Sequence, residues 1–306
     1  MTRSLIVTAD DLGIAESVNL AIRDAHRNGI VTSASLMANM PAFGHAVTAV
    51  LPETPELGVG AHLCLTSGRP CSDPADVPLL VDERGMFCHG FTGLLRLLLS
   101  KRRREVLSQI ERELTAQFER ILGAGILLDH IDGHQHVHML PGVRQLVARI
   151  ARDHNLVMRV SNERWAAFPA TLSALTAGLP KAVVLRMCGL FDAASGPDIG
   201  SRVNYIGVFE SGRLDASALS RILASLPPGV TEINTHPGYG LTPDEVVECS
   251  EADRVFLGSA WRKKELEALS SPQIASGCER YGITTTRIAD LGSSPRRSNS
   301  RSLTCE

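Results

Sequence analysis

Ser4-Leu-Ile-Val-Thr-Ala-Asp-Asp-Leu-Gly13 is the stretch that decides the fold. Its first half is apolar and β-branched, and it breaks abruptly into two acids and a glycine. A helical pattern follows through Val18, Leu20, Ala21, Ile22 and Ala25 and stops at Asn28-Gly29. The opening unit is therefore strand, loop, helix.

The same alternation recurs along the chain. Ile30–Leu36 predicts a second strand, with Pro41 helping to start another helix, and Leu57–Leu65 a third, whose glycines predict close backbone approach. Val106, Leu107, Ile110, Leu114, Phe118, Ile121 and Leu122 keep a spacing of three and four residues until Gly123 and Gly125, which predicts a long amphipathic helix. Further expected elements are a helix over Val143–Asp153, a strand over Leu156–Val160, a helix over Ser173–Ala177 and a strand over Ala182–Leu185. A helix over Ala216–Leu226, a strand over Val230–Thr235 and a helix over Trp261–Leu269 complete the series. Such alternation calls for an α/β fold: a distorted (β/α) barrel of about seven parallel strands, TIM-barrel-like, with an irregular insertion near 67–100. Residues 1–292 are expected to form a single catalytic barrel domain, and 293–306, polar and aperiodic, a disordered C-terminal tail.

Composition narrows the function. The chain has 306 residues, 44% of them hydrophobic, and a net charge of -2 from 31 basic and 33 acidic residues. The charges are interspersed, which leaves no basic field for nucleic acid. The basic run Lys101–Arg104 reads as the solvated first turn of a helix. Seven scattered cysteines without a Cys-x-x-Cys pair fit reduced thiols in a cytoplasmic protein. The amino terminus is too short in apolar residues for a signal peptide, and no stretch approaches the roughly 18 apolar residues of a membrane span. Leu-rich 93–99 reads as a core-facing helix, with contact to lipid or an apolar substrate groove as the alternative. No Gly-x-Gly-x-x-Gly or P-loop points to a nucleotide cofactor.

The chemistry gathers at expected strand ends. Asp132-Gly-His-Gln-His-Val-His138, read as a strand end, puts Asp132, His134, His136 and His138 on one face. Asp10-Asp11, His62 and His236 lie at or near three other strand ends, and in a barrel such ends share one mouth. Taken singly, Asp10-Asp11 could be a turn or helix cap, His62 a core histidine and His236 a loop residue. Taken together, one carboxylate and two imidazoles suffice to hold a divalent ion and leave positions open for water and substrate. Adjacent aspartates can then divide into a ligand and a free base.

Thr8-Ala-Asp-Asp-Leu-Gly13, Asn28-Gly-Ile-Val-Thr-Ser33, Gly60-Ala-His-Leu-Cys-Leu-Thr66, His130-Ile-Asp-Gly-His-Gln-His-Val-His138 and Thr235-His-Pro-Gly238 resemble the YdjC-like carbohydrate deacetylases, which include chitooligosaccharide deacetylases. The resemblance implies a metal-dependent hydrolase that removes an N-acetyl group from an amino sugar of an oligosaccharide or glycoconjugate. It implies Asp11, His62 and His134 as metal ligands, Asp10 as general base and His236 as the acid that protonates the departing amine. His136, His138 and Arg159 would bind substrate or support the ligands; for Arg159 a surface salt bridge is the alternative. One divalent ion per chain is expected, magnesium by the resemblance, while the ligand types suit zinc, cobalt, nickel or iron. A related subfamily acts on hopanoid lipids, which would give 93–99 a role. Gln135 stands where related enzymes carry another histidine, and Asp132 receives no role. The alternatives are an amidohydrolase or PHP-type phosphoesterase on a similar barrel, with two metals, or a non-catalytic sugar-binding relative. The chain could also form a homo-oligomer.

Overall fold

The computed structural model describes residues 2–161, 163, 183–186, 203–242, 245 and 247–292. Within them eight strands join one sheet: β1 (Arg3–Leu12), β2 (Ser33–Leu36), β3 (Gly58–Leu63), β4 (His130–Gly133), β5 (Val157–Met158), β6 (Asn204–Ile206), β7 (Gly229–Thr235) and β8 (Ile283–Thr285). Seven run in the order β5-β4-β3-β2-β1-β7-β6, and β8 pairs the start of β1. Every pairing is parallel, as helix crossovers require.

The sheet is curled into a half-barrel. Arg159, just past edge strand β5, reaches Asp10 on β1 at 2.9 Å. Four strand spacings would separate those strands by roughly 19 Å in a flat sheet, far beyond an arginine side chain. The strands are buried on both faces where they cross the centre, with Leu5, Ile6, Val7, Ala9 and Leu12 of β1 at 0% exposure. This is why the opening run reads as continuous rather than alternating.

The helices are α1 (Glu16–Arg27), α2 (Phe91–Leu98), α3 (Arg103–Gly123), α4 (Val143–Asp153), α5 (Ala216–Ser225), α6 (Glu251–Leu257), α7 (Ala260–Leu269) and α8 (Pro272–Arg280), of which α6 and α8 were not expected from the sequence. After Pro41 the chain makes short helical turns over 43–53. Lys101–Arg104 is exposed, as a solvated first turn should be. In the insertion, α2 buries Leu94 and Leu98 in the core. Gly60 meets the expectation of close approach, since a Cβ there would come within 2.2 Å of the His130 ring.

Two expectations are corrected. The Asp132–His138 tract is not one strand face: β4 ends at Gly133, and His134–Met139 is a 3-10 turn with left-handed Gln135 (φ 52) and His136 (φ 62). Those two residues destroy the two-residue alternation on which the strand reading rested. Val183–Arg186 is helical, not a strand, because a short apolar run does not distinguish the two. The helix expected over Ser173–Ala177 and the tail at 293–306 lie outside the described residues. No helix among the described residues is long and apolar enough to cross a membrane.

Candidate active site

A bulge in β1 builds the centre of the site. Its pairing with β2 shifts register between Ala9 and Leu12, and Asp11 takes a left-handed backbone (φ 71). Adjacent strand residues ordinarily face opposite ways, but the bulge re-aims one of them. Asp10 and Asp11 consequently both face His62, whose Nε2 lies 3.9 Å from a carboxylate oxygen of each. Strand register supplies the rest of the wall. His62 on β3 is level with Asp132 on β4, and Ala9 on β1 with Thr235 on β7, so His236 follows beside Asp10.

Asp132, which had no role in the sequence, holds His62. It accepts a 2.6 Å hydrogen bond from Nδ1 of His62 and one of 2.7 Å from the Ser35 hydroxyl. Because a carboxylate only accepts, Nδ1 carries a proton, and Nε2 is the nitrogen that faces Asp10 and Asp11. Burial pushes the Asp132 carboxyl up, but Arg159 and His62 outweigh it and hold it well below the usual range. His134 lies across from His62, its Nδ1 3.1 Å from Asp11 Oδ1 and its Nε2 3.1 Å from Asp253 Oδ1. Burial lowers its basicity, yet Asp253 and Asp11 together raise it well above the ordinary imidazole value. Asp11 is correspondingly held well below the carboxylate range: burial opposes this, and His134 and Arg262 override it.

Two buried arginines organise the acids. Arg159 is 3% exposed and so is no surface salt bridge. It donates to both oxygens of Asp10 at 2.9 and 3.0 Å, to Glu232 on β7 at 2.9 Å, and pairs with Asp132 at 2.6 Å. Arg262 from α7 donates to Asp11 Oδ2 at 2.9 Å and lies over the Phe256 ring. His236 packs edge-on against the same ring, and its backbone N–H donates to Glu265 Oε1 at 2.9 Å. Burial pushes the Glu265 carboxyl up to about 8. Gly238 is required beside this pair, because a Cβ there would meet Arg262 Nε at 2.8 Å.

His136 and His138 are both buried, and neither belongs to the cluster of donor atoms. His136 Nδ1 contacts the Ser161 hydroxyl at 2.9 Å, and its ring meets Tyr205 edge-on. His138 is packed beneath Gly133, and burial lowers its pKa to about 4. Asp253, Arg262, Glu265 and Glu232 went unnoticed in the sequence. Only Asp253, three residues after Ser250 in a helix-capping pattern, had any local signal, and that signal speaks of a helix start.

Asp11, His62 and His134 each offer a donor atom, with all three within 4.8 Å of one another. Asp11 Oδ1 is buried without a hydrogen-bond partner, although His134 Nδ1 is near. Five buried carboxylates, Asp10, Asp11, Asp132, Glu232 and Asp253, share the site with two buried guanidiniums, those of Arg159 and Arg262. An orphaned oxygen, two imidazole nitrogens turned toward it and an excess of buried carboxylates over guanidiniums fit a divalent cation. A second donor group, Asp10, His62 and Asp132, already encloses the Arg159 guanidinium.

A sequence model described as YdjC-like protein matches residues 4–280. A protein named carbohydrate deacetylase from Brevibacillus brevis is 46% identical over 291 residues, covering 94% of this chain and 99% of that one. One named chitooligosaccharide deacetylase from Salmonella schwarzengrund is 36% identical over 164 residues, 53% of this chain and 61% of its own. A crystal structure from Enterococcus faecalis, titled as a cellobiose-phosphate cleavage protein, superposes with a TM-score of 0.69 at 25% identity, covering 95% of this chain and 99% of that one.

Proposed function

We propose a reaction from one premise: this chain belongs to the YdjC-like protein family. It is a carbohydrate deacetylase that hydrolyses the N-acetyl group of an amino sugar, with residues 1–292 as its catalytic domain. The observation that carries the metal-dependent form of this reading is the convergence of Asp11, His62 and His134 around the orphaned Asp11 oxygen.

Asp11, His62 and His134 would hold one divalent cation. When bound, that ion polarises the amide carbonyl and makes water a nucleophile near neutral pH. Asp10 accepts the proton of the attacking water, and Arg159 holds its carboxylate in place through both oxygens. His236, just past the end of β7 and beside Asp10, protonates the departing amine; an unprotonated amine leaves poorly. Asp132 keeps His62 in the tautomer that presents Nε2. His136 and His138 support the His134 turn.

A two-metal amidohydrolase or phosphoesterase fits less well. The Asp10, His62 and Asp132 group encloses Arg159, at 2.9 Å from Asp10 and 2.6 Å from Asp132. The guanidinium is the cation there, which supports a single ion. Its identity follows from ligand softness, and two imidazoles with one carboxylate favour zinc, cobalt, nickel or iron over magnesium.

Purified protein loaded with each ion in turn should release acetate from some member of a panel of N-acetylated oligosaccharides and glycoconjugates. No release by protein with confirmed metal occupancy would overturn the reading.

A further inference from the structure

We propose that Asp253 is the positioning residue that selects which nitrogen of His134 faces the metal site, an assignment that rests on the function proposed above. His134 lies between two carboxylates, with Nδ1 toward Asp11 and Nε2 toward Asp253, each at 3.1 Å. The contact to Asp253 is a hydrogen bond, whereas Asp11 Oδ1 has no hydrogen-bond partner. Since a carboxylate only accepts, Nε2 keeps its proton against Asp253, and a cation held at Asp11 Oδ1 would take the place of the proton at Nδ1. His62 is the mirror case: Asp132 holds Nδ1, and Nε2 points inward. The two imidazoles thus meet the centre through different nitrogens, each chosen by its own buried carboxylate.

Asp253 is built for the task. It is 5% exposed. Its Oδ2 accepts from the Ser250 hydroxyl at 2.8 Å, and Ser250 Oγ accepts from the Asp253 backbone N–H at 3.2 Å. Gln135, next to His134, donates to the same Oδ1 at 3.3 Å. The Ser250 backbone N–H donates to Ser67 Oγ at 2.9 Å, just past the strand that carries His62. The helix that begins at Glu251 is therefore anchored to both imidazole-bearing segments, and its first turn delivers the carboxylate.

The test is metal affinity, read by chelator competition without substrate. Asp253→Ala should weaken binding 10- to 100-fold, the usual cost of losing such a partner. Asp253→Asn should fall between, and Asp253→Glu should recover part of the loss. Nitrogen-15 spectra of the loaded wild type should keep the His134 Nε2–H and show the metal at Nδ1. Wild-type affinity in Asp253→Ala, or metal at Nε2, overturns the assignment and leaves the function intact. If Asp253→Ala does not fold, the spectra and Asp253→Asn decide. A wild type that binds no divalent ion overturns the function and this assignment together.

Discussion

Arg159 grips Asp10 through both carboxylate oxygens at 2.9 to 3.0 Å, across a sheet that would hold the two strands far apart if it were flat. One contact thus closes the half-barrel and aims the proposed base. Arg159→Lys keeps the charge and loses the two-pronged grip, so kcat should fall about 100-fold, in line with a misplacement of about 1 Å. Metal content should stay at one ion per chain. An unchanged kcat would remove Arg159 from the positioning of Asp10.

Arg159→Ala should do something different. It leaves Asp10, Asp132 and Glu232 buried without their cation, which should destabilise the protein by about 3 to 5 kcal/mol. Chemical denaturation measures this directly. A loss below about 1 kcal/mol would mean that water or another cation fills the gap.

The two aspartates of the bulge should separate by phenotype. Asp10→Asn should lower kcat by two orders of magnitude or more, within the range typical for a general base, with metal content unchanged. Asp11→Asn should lose metal. The reverse pattern in elemental analysis would exchange the two roles.

Glu265 carries a pH dependence that can be isolated. Its folded carboxyl titrates at about 8, against 4.5 for an unperturbed group, mainly through burial. Between those values the folded state holds a proton that the unfolded chain has released, so stability falls as pH rises through the window. Glu265→Gln abolishes this dependence. In chelator-treated protein its advantage over wild type should be near zero at pH 4 and grow toward pH 8, on the order of 5 kcal/mol at most. A difference independent of pH would show that Glu265 does not titrate there.

Gly60→Ala should destabilise the barrel through overpacking. The new Cβ would overlap the His130 ring, and relieving such overpacking costs about 1 to 3 kcal/mol. A melting temperature equal to wild type would show that the ring swings aside freely.

Much was legible in the sequence because it is local. The β1 run, the periodic Val106–Leu122 stretch and Val143–Asp153 carry their patterns within one element, and α3 and α4 form where those patterns predict. β6 and β8, three residues each, are too short to show any alternation. Asp10, Asp11, His62 and His134 stood out because they follow strands or sit in motifs, and a parallel sheet brings strand ends together.

The sequence by itself determined the alternating architecture, the family and the residue types that converge at the mouth. Only the tertiary structure decided how they face one another. The bulge at Asp10-Asp11 sets two neighbouring carboxylates toward one imidazole. The left-handed turn at Gln135-His136 separates His134 from His136 and His138. Arg159, Asp253, Arg262 and Glu265 gained their parts the same way, since each acts on a partner 29 to 251 residues distant in the chain. The reason is physical: hydrophobic periodicity is written within a turn or a strand, whereas buried charge is paired across the fold, by contacts that exist only once the sheet has curled.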